Sequence, residues 1–200
     1  MSGATRVLVL SFLCLAVVLI AAFLRRKQVL RSRTTPSQDV IPSETYLGLR
    51  MQILQGLRGE VSLPPPARPT EPSAVLMDWN TENAIVSVVA VADGTASIYL
   101  SSGGGSIGGG QSHLEIRDAA LHALSLASSL QTQMKPVSAY PLPEQGSVIF
   151  YVVSDAGVLS ATGRADDLAE HRHPFSSLGD AMQQIITLYR VLQTGSSSGS

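Results

Sequence analysis

The 200 residues carry 14 basic and 15 acidic side chains, 5% aromatics and one cysteine. That balance excludes nucleic-acid binding through bulk charge, and a lone cysteine excludes an intrachain disulfide framework or an all-cysteine zinc site. The length suits one compact core rather than two. The charges are segregated, however: residues 1–34 hold six basic groups and no acid, and the remainder holds eight basic and 15 acidic groups.

A membrane accounts best for that asymmetry. After a short tail at residues 1–6, Val7 to Leu24 reads VLVLSFLCLAVVLIAAFL without a charge. As a helix it spans about 27 Å, close to the hydrocarbon thickness of a bilayer. A cleaved signal peptide places its charge before the apolar run, but here Arg25-Arg26-Lys27 follow it. A lipoprotein signal wants a small residue before the cysteine, and Leu13 precedes Cys14. The expectation is an uncleaved single-pass anchor in a bacterial-type inner membrane. With most of the basic residues on its C-terminal side, the N-terminus lies outside and the remaining chain is cytoplasmic. The bilayer is thus the first expected partner.

Residues 25–72 read as a linker, basic at first and proline-rich around Leu63-Pro-Pro-Pro66, Pro69 and Pro72. Within it, Ser43 can cap a short helix over residues 43–58 in which Tyr46, Leu47, Arg50, Met51, Leu54 and Leu57 recur at helical spacing. That stripe suits the membrane, another subunit, or its own domain.

The globular region is expected over residues 73–193. Val75 to Trp79 is a short strand, with Trp79 packed in the core or at an edge. Ala84 to Ala92 is apolar on both faces, as in a central strand. Asp93-Gly94 supplies two positive-φ positions for a tight hairpin, and Thr95 to Ser101 returns. A helix over about 112–134 follows, carrying Ile116, Ala120, Ala123, Ala127 and Leu130 on one face. Val148 to Ser154 and Val158 to Thr162 form a second hairpin around Asp155-Ala-Gly157. Pro174 can open a last helix carrying Phe175, Leu178, Met182, Ile185, Tyr189 and Leu192, and residues 194–200 form a tail. The fold class is therefore α+β, a small antiparallel sheet with helices on one face, built as β-hairpin–α twice. Over Ser43 to Leu192 this order of elements is similar to that of roadblock and longin-type domains. The resemblance implies a membrane-tethered platform that dimerises or docks a partner.

One segment invites a chemical reading. Gly103, Gly104, Gly105, Ser106, Gly108, Gly109 and Gly110 lie between a strand and a helix. Glycines let a phosphate approach the backbone, and a helix N-terminus offers free N–H groups, so these seven residues are the candidate ligand-binding set for an anionic small molecule. A dinucleotide site also needs an acid about 20 residues on at a strand end, and there the chain is still helical. Gly104-Gly-Ser106-Ile-Gly108 matches the G-x-S-x-G elbow, with Asp155 and His171 or His173 following in hydrolase order. About 120 residues cannot supply the hydrolase sheet, so a serine hydrolase using Ser106 is the remote alternative.

Asp166, Asp167, Glu170, His171 and His173 gather potential metal donors, but without a metal-binding spacing and with Arg172 among them. A solvated loop is expected there. His113 and His122, nine apart on one helix, fall on opposite sides. No catalytic set, metal site or cofactor is therefore expected. The function expected is a noncatalytic protein-interaction or scaffold module with a protein partner or a second copy and no nucleic acid. Anion sensing through the glycine segment is the alternative.

Overall fold

The computed structural model describes residues 40–56 and 68–196. The expected anchor at residues 7–24 and much of the expected linker lie outside them. Among the described residues no helix is long and apolar enough to cross a membrane.

The protein is α+β. Helix α1 (Glu44–Leu54) precedes four strands, β1 (Ala74–Asn80), β2 (Ile85–Val91), β3 (Ala96–Leu100) and β4 (Gly105–Ile107). A single 3-10 turn leads into α2 (Leu114–Leu130), followed by β5 (Lys135–Val137), β6 (Ser147–Ser154) and β7 (Gly157–Arg164). A five-residue α3 (Ala165–Ala169) and the long α4 (Ser176–Ser196) close the order. The strands form one sheet in the order β4-β3-β2-β1-β6-β7-β5, and every neighbouring pair is antiparallel.

The central strands are buried on both faces because both faces are covered. Strand alternation sends Val75 and Met77 of β1 to one side and Ala74, Leu76 and Asp78 to the other. On the first side lie α2 and α4. Ala119, Ala120, Ala123 and Ala127 keep the α2 surface flat, while Leu178, Met182 and Ile185 of α4 fill the space over Phe150 and Val88. Phe150 stacks on Phe175 at 5.8 Å between centroids. The other side is covered by α1, which places Tyr46, Ile53 and Leu54 against Leu76, Val89, Tyr99 and Tyr151. Helices on one face therefore describes α2 and α4 but not α1. The apolar spacing seen in the sequence serves to dock α1 on its own sheet.

Two turns show how local sequence sets the register. Gly94 (φ +85°) follows a turn closed by its N–H on the Val91 carbonyl, and Thr95 accepts from the Val91 N–H. The loop is thus three residues long with a glycine bulge, so one positive-φ position replaces the expected two. The Asp93 carboxylate accepts from Thr95 N–H at 2.8 Å, closing the turn from the side-chain side. In the second hairpin Ser154 pairs with Gly157, leaving Asp155 and Ala156 as the loop.

Candidate functional site

Three places in this fold concentrate polar chemistry: a sealed cluster under α1, the glycine segment at one sheet edge, and the loop between β7 and α4.

Under α1, Arg50 and Asp78 are 2% and 0% exposed and form an ion pair of 2.7 Å. Arg50 Nε donates to Asp78 Oδ2, while Nη1 and Nη2 donate to the carbonyls of Tyr140 and Pro141 at 3.0 and 3.1 Å. The Ser87 hydroxyl donates to Asp78 Oδ1, which leaves its oxygen to accept from the Tyr46 hydroxyl at 2.9 Å. Tyr151 lies with its ring centroid 5.4 Å from the guanidinium carbon and donates its hydroxyl to the Pro141 carbonyl. Burial opposes the charge on Arg50, but the neighbouring carboxylate overrides it and holds the guanidinium above its ordinary pKa. Burial pushes the Asp78 carboxyl up, against the pull of Arg50 and Ser87. The Tyr46 hydroxyl is raised by burial and by the Asp78 charge, and burial moves Tyr151 up to about 12. With its donors satisfied inside the protein and no exposed atom to offer a substrate, the cluster fixes where α1 sits. Its members could have been suspected from the sequence. Asp78 interrupts an apolar strand and Arg50 interrupts an apolar helical stripe, and opposite charges in two buried stripes must find each other.

The glycine segment does not form an open loop. Gly105–Ile107 pairs with β3, setting Ser106 opposite Ile98 and Gly105 opposite Tyr99. The Gly103 N–H donates to the Leu100 carbonyl, the Gly108 N–H to the Ala96 carbonyl, and the Gly109 N–H to the Tyr189 hydroxyl at 2.8 Å. The Tyr189 hydroxyl in turn donates to the Ala96 carbonyl at 2.6 Å, tying the segment to both β3 and α4. A Cβ on Gly109 would collide with the Tyr189 ring, and one on Gly110 with the Gly94 carbonyl. The glycines at these two positions thus let chain segments meet closely, which accounts for them without a ligand. Gly104 lies at the exposed turn between β3 and β4 and receives the Leu100 N–H on its carbonyl. Ser106 Oγ meets the Gln193 amide at 3.4 Å.

The other residues expected to be able to act together are dispersed. Ser106 is on the edge strand β4, Asp155 is in the β6–β7 turn, and His171 Nε2 lies 3.7 Å from Asp180. His173 Nδ1 accepts from the Phe175 N–H and so helps to shape the entry into α4. Arg172 is bonded to Asp167 and paired with Glu170, which takes up two of the acids between β7 and α4. Among the described residues no three His, Cys, Asp or Glu side chains converge as metal ligands do. Trp79 is half-buried against the α2–α4 core.

Comparison with protein families, with characterised proteins and with solved structures gave no match.

Proposed function

We propose that this chain is a noncatalytic docking module that receives an extended segment of a partner protein along β4, and that residues 7–24 hold it at a membrane. The observation that carries the reading is the difference between the two ends of the sheet. At one end, β5 presents Lys135 and Pro136, both exposed. A charge and a residue without an N–H are standard protection against a further strand. At the other end, β4 carries no charge, and among the described residues nothing pairs with its outer side. Ile107 of β4 is 68% exposed, an apolar anchor beside an open row of main-chain groups. Strand addition uses that combination: backbone bonds supply affinity and alternate side chains supply specificity. Tyr189 holds the segment from behind, so the edge is formed before a partner arrives and little ordering cost remains at binding.

The membrane part of the proposal rests on the uncharged run from Val7 to Leu24 and the basic cluster that follows it. It puts the domain on the cytoplasmic side of a bacterial-type inner membrane. The order of elements resembles that of roadblock and longin-type domains, and what that resemblance implies, a platform for a partner, agrees with the same reading.

The test is capture of partners by the full chain from gently solubilised native membranes, beside an Ile107→Lys variant. A lysine at this exposed position leaves the core untouched and blocks strand addition. Proteins retained by the unmodified chain and lost from the variant support docking at β4, and identical recovery by both overturns it. Self-association in sedimentation, abolished by the same substitution, would make the partner a second copy.

A further inference from the structure

A different part of the surface points to a small cation. Where β1 ends and β6 begins, the short α3 and the first turns of α4 leave a cavity of about 230 Å³, below the ~300–1,000 Å³ of pockets for drug-sized ligands. Met77, Trp79 and Leu168 make its floor apolar, while Asp166 and Asp180 stand in its wall with the amide of Gln183. Both charged groups in the wall are acids. The Arg172 guanidinium is engaged by Asp167 and Glu170, and Arg164 donates to the Gln145 carbonyl and the Ser147 hydroxyl. The Asp166 carboxylate has no hydrogen-bond or ion-pair partner among the described residues, and Asp180 has only the imidazole of His171 at 3.7 Å.

Sealed, empty cavities are lined by apolar groups, whereas the lining of this one includes two solvent-exposed carboxylates. Here an apolar, aromatic floor of side-chain size lies below acids that lack strong partners. We propose that this cavity binds an alkylammonium or alkylguanidinium group. The alkyl part lies on Met77 and Leu168, and the cationic head is shared between Asp166, Asp180 and the Trp79 indole. A free amine and a lysine or arginine side chain of a partner offer the same chemistry, and an anion is excluded by the charge of the wall. The proposal is independent of β4.

Trp79 is the chain's single tryptophan, so its emission reports on the cavity directly. The full chain in detergent is titrated with n-butylguanidinium and n-butylammonium, with n-butanol and butyrate as the neutral and anionic counterparts. A saturable change with the two cations alone is expected. In the Asp166→Asn/Asp180→Asn double variant the cation Kd should rise about tenfold or more, since the charge-assisted contacts are gone. Both side chains are exposed, so circular dichroism and melting should show the variant folded. The Ile107→Lys variant should titrate like the unmodified chain, which keeps this result separate from docking at β4. A blocked Gly-Arg-Gly peptide then assigns the source: tighter binding than butylguanidinium means a partner's side chain, and weaker binding means a free amine. Equal responses to butanol and to the cations, or an unchanged Kd in the double variant, overturn the proposal.

Discussion

The two faces of one sheet are fastened by different physics. Under α2 and α4 the contact is mainly apolar, with alanines of one helix set against leucine, methionine and isoleucine of the other. Under α1 the apolar contact surrounds an ion pair, two hydroxyls and two carbonyls, all out of solvent. Apolar burial is strong but indifferent to small displacements, because its strength follows area. A buried ion pair adds little net stability over an apolar pair of similar shape, yet its loss of geometry is expensive. The difference teaches that the α2–α4 face supplies the bulk of the fold's stability, and that the α1 face supplies position. That division suits an element which, in the proposed function, connects the domain to its anchor.

The largest effect should come from breaking the α1 face on one side only. Arg50→Met leaves the Asp78 carboxylate buried without its partner, and an unpaired buried charge costs about 3–5 kcal/mol. Adding Asp78→Leu removes that charge as well, and the double variant should recover most of the loss. Urea unfolding of both variants measures it. A double variant as unstable as the single one would mean that the pair contributes net stability and not position alone.

The same face should also govern the response to alkali. Tyr46 and Tyr151 are held above their ordinary values chiefly by burial, Tyr151 at about 12. In the unfolded chain both ionise near pH 10, while the folded protein keeps their protons. The native state then binds more protons, so stability is fully present below pH 10 and falls as pH rises toward 12. At ~1.4 kcal/mol per decade, Tyr151 alone accounts for about 2–3 kcal/mol of that fall. Unfolding midpoints at pH 8, 10 and 11.5 should trace it, and Tyr46→Phe/Tyr151→Phe should flatten the curve. A flat curve in the unmodified chain would show that the cluster is open to solvent.

How far the sequence discloses this arrangement depends on the length of each element. The runs around Val88 and Val152 are long enough for their β-branched residues to declare buried strands, and the helical spacing of Leu178, Met182, Ile185 and Tyr189 declares α4. Strands β4 (Gly-Ser-Ile) and β5 (Lys-Pro-Val) are three residues each, with one β-branched residue apiece beside glycine, lysine or proline, types that disfavour strands. Only pairing with β3 and β7 makes them strands, and that pairing is tertiary. Helix α3 is five residues long, too short for a periodic signal. The glycine segment was conspicuous by composition, but its structural meaning depends on Tyr189, about 80 residues later in the chain. Which side of the sheet α1 covers likewise depends on a tertiary contact, the pairing of Arg50 with Asp78.

The smallest expected effect tests the apolar face at the Tyr189 hydroxyl. Tyr189→Phe keeps the ring against Gly109 and removes only the hydroxyl, which accepts from the Gly109 N–H and donates to the Ala96 carbonyl. The Ala96 carbonyl keeps the Gly108 N–H at 3.1 Å, so it is not left bare. The Gly109 N–H loses its acceptor in a half-buried place that water can reach in part. The cost should therefore be about 1 kcal/mol, toward the low end for an orphaned donor and well below the loss in Arg50→Met. Hydrogen exchange at Gly108 and Gly109 should accelerate while amides of β1 and β6 do not change. If the exchange of β4 speeds up together with its neighbours, the hydroxyl is what keeps the edge formed, and docking at β4 should weaken in the same variant. If only the Gly109 amide responds, β4 is held by its pairing with β3, and Tyr189 merely closes the turn behind it.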